Sequence, residues 1–410
     1  MTGALRRLVP VGALLAALAL SGCGSSGGPT RREVSGSVLR IYSSEPLVGP
    51  LADQGRDMVR AEQLALTEAG DRVGRWRIAY SALNNASPQT GVWDPGVVSA
   101  NARRAGQDRT TIAYVGEMDT GASAVSIPIL DEVGILQVSP TDGVAGLTRA
   151  GSGGPGEPEK YYPARDRNFV RLVPPDDLQA QALLALMRGA GVRRLYVLHD
   201  PALYGERLAL AVARGAPAAG IAVVKSREAD PARVNPADLG VDVVATAADG
   251  FLYTGALADS LPGLFAAVHA AAPRLPLFGP GALAQPVFAA ELGPAAAART
   301  RLLAPWPPVS ALPAAGRAFA RRFRARYGAD PAAPAVYGYE AMRLVLAAIR
   351  GAGEHGNDRA AVTRAAFAVA DGSSAIGPYA IDGQGDTSAR GFAVYAVRDG
   401  RLAYLRTIAP

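Results

Sequence analysis

A repeated alternation of short apolar runs with amphipathic stretches, broken once near the middle, is the feature that most constrains this chain. Residues 38–43, 76–81, 111–115 and 135–138 are apolar runs of strand length. Between them, 53–69, 97–107 and 123–132 carry helical spacing, the first with Met58, Ala61, Leu64 and Ala65 on one face. Pro95-Gly96 opens the second of these helices, with proline near the start as helices prefer. The order βαβα predicts a parallel sheet covered by helices. The irregular stretch 149–167, which contains Gly151-Ser152-Gly153-Gly154-Pro155-Gly156, interrupts the pattern and reads as a surface loop.

The alternation then restarts: helix 178–189, strand 194–199, helix 205–213, strand 222–226. The apolar runs 241–245 and 251–254 are expected at the next sheet positions, followed by helix 261–271 and a short strand at 276–279. Long helices are expected over 314–327 and 335–350, and strands over 378–382 and 391–398. Asp399-Gly400 is a hairpin turn leading into 402–408. The chain is therefore expected to be α/β, with two similar βα arrays.

The first residues set the compartment. Arg6 and Arg7 precede an apolar run, 8–20, which is too short to span a bilayer at about 20 residues. Leu20-Ser21-Gly22-Cys23 then looks like a bacterial lipobox, in which the cysteine is acylated and becomes the new N-terminus. Cys23 is the only cysteine, so an exported chain has no disulfide to make with it. Two or three acyl chains anchor stably where one is marginal. Residues 1–22 are thus read as a signal peptide and 23–36 as a tether. Removing 22 residues from 410 leaves 388, a length that suits two domains.

The chain carries a formal net charge of +6, which raises the question of nucleic acid. Lys160 and Lys225 are its only lysines, and the arginines are scattered apart from a group at 317–326 along one helix. A nucleic-acid surface needs basic residues gathered on one face with stacking aromatics, so nucleic-acid binding is not expected.

In open α/β sheets, ligands bind beyond the carboxyl ends of the strands. The loops to inspect are 44–55, 116–123 and 139–143 in the first array, and 200–204, 254–258 and 279–281 in the second. The loop 116–123 runs into a helix through Thr120-Gly121-Ala122-Ser123. Small residues leave backbone N–H groups free there, the helix dipole favours an anion, and Thr120 and Ser123 add hydroxyls. The same residues could instead cap their own helix.

These loops also carry a resemblance. EPLVGPLADQGRDMVRAEQLALTE (45–68), IAYVGEMDTGASAVSIPILDEVGILQVSP (112–140), VRRLYVLHDPALYGERLA (192–209), YGYEAMRLVLAAI (337–349) and GPYAIDGQGDT (377–387) follow one another in the order found in the branched-chain amino-acid binding family. The chain resembles that family of type I periplasmic binding proteins over nearly its whole length after the tether. The resemblance implies two Rossmann-like lobes joined by three crossings, expected near 172–175, 303–305 and 374–377. Lobe 1 would comprise 37–173 plus 306–375, and lobe 2 would comprise 174–305 plus 376–410. It further implies a small-molecule ligand clamped between the lobes, delivery to ABC permease subunits, and a monomer with no cofactor and no chemistry of its own.

By position, the resemblance assigns the ligand carboxylate to Thr120, a second contact to Thr141 and a tyrosine of the other lobe to Tyr204. The chain departs from the pattern at Gly143, where leucine-type binders have a threonine, and at Gln54, where they have an aromatic lid. It departs again at Gly281, where they have a carboxylate for the ligand ammonium. Asp142, beside Thr141, is the expected replacement acid, although it could merely cap a turn. The candidate ligand residues are therefore Gln54, Thr120, Gly121, Ala122, Ser123, Ser139, Thr141, Asp142, Tyr204 and Gly281. A small polar or amide-bearing metabolite is the expected ligand, with an α-amino acid second.

Other readings fare worse. Asp119-Thr120-Gly121 spells an aspartic-protease signature, but that chemistry needs two carboxylates sharing a proton, and the only other Asp-Thr is Asp386-Thr387. The glycine-rich run 151–156 follows no strand and opens no helix, as a dinucleotide fingerprint must. No G-x-S-x-G occurs, and His199, His269 and His355 show neither catalytic nor metal-ligand spacing. A ligand-binding sensor of the same fold, reporting occupancy to a membrane receptor, is the alternative to an importer component.

Overall fold

The computed structural model describes residues 33–410, so the signal segment, Cys23 and most of the tether lie outside the described residues. The expected tether ends early. Val34 is buried against the first lobe, its N–H donating to the Asn357 carbonyl at 2.8 Å and its carbonyl accepting from Asn357 Nδ2 at 2.8 Å.

The first array runs β1 (Val38–Glu45), α1 (Ala52–Glu68), β2 (Arg72–Val73), β3 (Trp76–Asn84), α2 (Pro95–Gln107), β4 (Thr111–Val115), α3 (Ser123–Asp131), β5 (Leu136–Ser139) and β6 (Phe169–Arg171). Its six strands lie in the order β2-β3-β1-β4-β5-β6, all parallel except β2. The second array follows as α4 (Asp176–Gly189), β7 (Arg194–His199), α5 (Leu203–Gly215), β8 (Ala222–Glu228), α6 (Pro236–Ala245), β9 (Gly250–Thr254), α7 (Leu261–Ala271), β10 (Leu277–Pro280), α8 (Pro286–Glu291), α9 (Pro294–Arg299) and β11 (Thr300–Ala304).

The chain then returns to the first lobe with α10 (Ala314–Tyr327), α11 (Ala335–Gly351), α12 (Arg359–Phe367) and a small ribbon, β12 (Ala370–Asp371) and β13 (Tyr379–Ala380). It ends in the second sheet with β14 (Phe392–Arg398) and β15 (Arg401–Ile408), giving the order β15-β14-β11-β10-β9-β7-β8. In this sheet β14 alone runs against the other strands, pairing antiparallel with β11 and with β15. The result is a mixed α/β chain of two lobes with parallel-dominated sheets, as the sequence pattern implies.

In each sheet the chain begins centrally and builds outward in both directions. β1 pairs with both β3 and β4, so Ile41 faces Tyr80 on one side and Ala113 on the other. β7 pairs likewise with β8 and β9. Such reversal points leave a crevice at the carboxyl ends of the strands.

Local chemistry explains the helices. Asp94 caps α2, accepting from the Gly96 and Val97 N–H groups behind Pro95. α11 is buried along most of its length, and it approaches α1 so closely that a Cβ on Gly338 would stand 2.4 Å from Met58 Sδ. A larger residue at 338 would force Met58 to shift, with the Met58 carbonyl oxygen also only 3.0 Å from that Cβ. The run 241–245 is not sheet. It is the second half of α6, which Asn235 caps ahead of Pro236, and Val241 and Val244 point to solvent at 70% and 51% exposure. β6, α8, α9 and α12 are elements the sequence pattern did not show.

The chain leaves the first sheet at 172–175 and leaves the second after Ala304. Tyr337 and Tyr395, one from each lobe, donate to the Pro305 and Trp306 carbonyls at 2.7 and 2.9 Å, fixing this second connection. The third connection falls later than 374–377. Ala375, Tyr379 and Ile381 still pack in the first lobe's core, and 382–391 leads to β14. Here Asp386, fully buried, pairs with Arg171 of β6 at 2.8 Å and with Arg149 at 2.5 Å, while the Arg171 N–H donates to the Gly385 carbonyl at 2.9 Å. The two guanidinium groups hold the Asp386 carboxyl below its ordinary range despite its burial.

Candidate ligand cleft

Between the lobes lies a cleft of about 950 Å³, counting its open mouth. Its walls come from strand ends and connections of both lobes, the arrangement expected where two sheets reverse direction facing one another. The first lobe contributes Leu51, Gln54, Trp93, Met118, Asp119, Thr120, Thr141 and Gly143. The first connection and the second lobe contribute Val173, Asp176, Gln179, Leu203, Tyr204, Leu257, Gly281 and Gln285, and Trp306 stands on the second connection.

Five of the ten expected residues meet here: Gln54, Thr120, Thr141, Tyr204 and Gly281. Thr141 spends its hydroxyl on the Met118 carbonyl at 2.5 Å, tying the loop after β5 to the loop after β4. Tyr204, almost fully buried, donates to Gln179 Oε1 at 2.9 Å and so orders one wall. Across the mouth, Gln54 Nε2 donates to Gln285 Oε1, linking α1 to the segment that follows β10. Where the sequence showed a lost lid at Gln54 and a lost acid at Gly281, the structure has an amide pair.

The other five stand behind the wall. Asp142 is fully buried and does not line the cleft; Ser123 N–H donates to its Oδ2 at 3.0 Å and Val144 N–H to its Oδ1 at 3.1 Å. The Gly121 N–H also donates to this carboxylate. Ala122 N–H donates to the Asp119 carbonyl at 3.1 Å. The start of α3, read from sequence as a seat for a ligand anion, therefore already holds a carboxyl group belonging to the chain. Ser139 is buried too, donating to the Glu117 carbonyl and accepting from the Asp142 N–H, each at 2.8 Å. Asp142 thus positions the two loops, and the turn-capping alternative describes it better than the role of ligand acid.

Two carboxylates that sequence reasoning passed over do reach the cleft. Asp119 is 8% exposed, and Asn85 Nδ2 donates to its Oδ2 at 3.1 Å. Burial pushes its pKa up to about 6, the hydrogen bond from Asn85 opposing the rise. Behind it, Asn85 also donates to Glu117 Oε2 at 3.0 Å, and burial pushes Glu117 up to about 7. Asp176, at the first turn of α4, is 4% exposed, and its Oδ2 has no hydrogen-bond partner. Burial raises its carboxyl well above the usual range.

A Cβ on Gly143 would stand 2.5 Å from Asp176 Oδ1. The carboxylate therefore occupies the space that a side chain at 143 would need. Asp119 sits next to Thr120 in a loop already singled out, so its position was a usable signal. Trp93 and Trp306 are two of only three tryptophans in the chain, and both reach the cleft.

The glycine-rich run 151–156 also has a structural role between the lobes. It wraps the buried Glu157 carboxylate, whose Oε2 would lie 1.7 Å from a Cβ on Gly153 and accepts the Gly154 N–H at 2.8 Å. Glu157 faces Arg207 of α5 at 3.6 Å, a contact from the first lobe to the second. The two Asp-Thr sites are likewise apart in role, with Asp119 in the cleft wall and Asp386 bound to two arginines, so they share no proton.

Known proteins of this shape are numerous. A structure from R. palustris described as an ABC transporter solute-binding protein in complex with benzoate is 20% identical, with a TM-score of 0.74 over 91% of this chain and 97% of that one. A leucine-binding protein from Thermotoga maritima has the same identity and TM-score, over 91% and 99%. A solute-binding protein from Rhodopseudomonas palustris BisB5, in complex with 3,4-dihydroxybenzoic acid, is 17% identical with a TM-score of 0.73, over 91% and 98%. At these identities the likeness is one of fold, the type I periplasmic binding protein fold. No curated protein matches the chain in sequence. A family model described as periplasmic binding protein matches residues 40–401, and the chain belongs to that family.

Proposed function

We propose that this chain is the extracytoplasmic solute-binding component of an ABC importer, anchored by lipid on Cys23 and acting as a monomer without chemistry of its own. It traps a small polar metabolite between its lobes and presents the closed form to the permease. The observation that carries this reading is the cleft itself, walled by both lobes and bridged at its mouth by Gln54 and Gln285. Three connections, one stiffened by Asp386 with Arg171 and Arg149, give the lobes a hinge about which to close. Inside, the free hydroxyl of Thr120 and the ordered Tyr204–Gln179 pair offer a ligand polar contacts beside the apolar side chains of Leu51, Leu203 and Leu257.

A thermal-shift screen of the full chain in detergent against amino acids, amides, amines and small carboxylates tests the reading. A true ligand at 100 times its Kd adds about 2.7 kcal/mol of stability. Stabilisation by no compound of these classes would argue against a solute-binding role. The anchor has its own test: Cys23→Ala should move the protein from the detergent phase to the aqueous phase, and unchanged partition would refute lipidation.

A further inference from the structure

The cleft is built with one sign of charge. Its lining includes two carboxylates, Asp119 and Asp176, and no arginine, lysine or histidine. Three of the backbone donors at the start of α3 are committed, since Gly121 and Ser123 serve Asp142 and Ala122 serves the Asp119 carbonyl. Asp176 is the unexplained group. Its Oδ2 is enclosed and partnerless, and its Oδ1 has only Gln179 Nε2 at 3.4 Å, the edge of a hydrogen bond. Arg171, the cation whose charge reaches Asp176, directs its donors instead to Asp386, Thr148 and the carbonyls of Asp142 and Val144. A buried carboxyl left without a partner is costly, and a ligand that supplies one recovers that cost. Trp93 and Trp306 line the same space, and indole faces attract organic cations. Among the described residues no group of three or more His, Cys, Asp or Glu is arranged for a metal ion.

We propose that the ligand of this cleft is an organic cation, an amine, amidine or quaternary ammonium compound, whose charge is met by Asp176 and Asp119 and whose body packs on Trp93 and Trp306. The proposal rests on the solute-binding reading and narrows it, displacing Asp142 as the acid that meets the ligand's nitrogen. Burial raises the unliganded Asp176 carboxyl well above the usual carboxylate range, with Asp142 and Asp177 adding to the rise and Arg171 opposing it. A cation seated beside it favours the charged form, so binding lowers the carboxyl's pKa and any proton it carries passes to the buffer.

Calorimetry of the full chain in detergent with choline, putrescine and agmatine as cations, leucine as a zwitterion, acetamide as a neutral amide and benzoate as an anion tests this. At least one cation is expected to bind with proton release, seen by repeating the titration in buffers of different ionisation enthalpy. Asp176→Asn, which keeps shape and removes charge, should weaken it about 10- to 150-fold. Asp119→Asn provides a second variant, and the unfolding temperature of each reports whether it folds. Binding of leucine, acetamide or benzoate in preference to every cation overturns the cation proposal and leaves the solute-binding reading standing. Cation binding that both variants leave unchanged overturns it equally. Failure of all six probes also overturns it, and the broader thermal-shift screen then decides the fate of the parent reading separately.

Discussion

Gln54 of α1 and Gln285, just ahead of α8, hydrogen-bond to each other across the mouth of the cleft, one from each lobe. Neither amide belongs to the wall that would grip a ligand's charge, and together they form a latch that either lobe can release. Gln54→Ala should therefore weaken ligand binding modestly, by the ~0.5–1.5 kcal/mol of a neutral hydrogen bond, or about 2- to 13-fold. The loss should appear as faster dissociation. Stopped-flow measurement of the off-rate checks this, and an unchanged rate would remove the latch from the bound form.

Asp142 and Ser123 lead to a different expectation. Asp142 gathers N–H groups from Gly121, Ser123 and Val144 inside the protein. Asp142→Asn places an amide N–H against some of those donors, and should cost about 1–3 kcal/mol of stability. Ligand preference should not change, because the side chain does not reach the cleft. Chemical denaturation with a parallel ligand titration separates the two effects, and altered preference at unchanged stability would return Asp142 to the ligand.

The first lobe also stores protons. Glu62 and Glu117 are fully buried, and burial pushes each up to about 7, with hydrogen bonds from Tyr80 and from Asn85 opposing the rise. Glu45, buried beside them, is raised as well. In the unfolded chain these groups ionise at the ordinary carboxylate value near 4.3. Between that value and about 7 the folded state holds protons the unfolded state has released, so stability falls as pH rises. Groups held low, such as Asp386, act only in more acidic solution. The unliganded chain should therefore melt at a higher temperature at pH 5 than at pH 8, as differential scanning calorimetry would show. A melting temperature that rises across that interval would contradict the burial of these three carboxyls.

The two-lobed frame was legible because its strands are short apolar runs punctuated by glycine and proline, and because the βα period restarts after 149–167. Residues 241–245 misled because an apolar run of five has no period of its own; Asn235-Pro236, an N-cap followed by a first-turn proline, was the better signal. The third connection was placed too early because Ala375 and Ile381 look like linker and strand in sequence, and only packing shows that they still belong to the first core.

In the site, sequence identified the right loops but not the direction of each side chain. Thr120 and Asp142 both lie in strand-end loops, yet one faces the cleft and the other faces inward, because Asp142 is captured by backbone donors from a neighbouring loop. Asp176 was hidden for a similar reason. As the first residue of a helix it reads as a cap, and its exposure to the cleft depends on Gly143 leaving room for it.

The most direct test of the account is titration calorimetry of the wild-type chain and a Thr120→Trp variant with the compound that best raises the melting temperature. Thr120 lines the cleft and contributes nothing to the core, so tryptophan there fills the binding space without breaking the fold. The account predicts one ligand per wild-type chain and no detectable binding to the variant, with the unliganded melting temperatures nearly the same. Undiminished one-to-one binding by the variant would place the ligand elsewhere and contradict the cleft as the site.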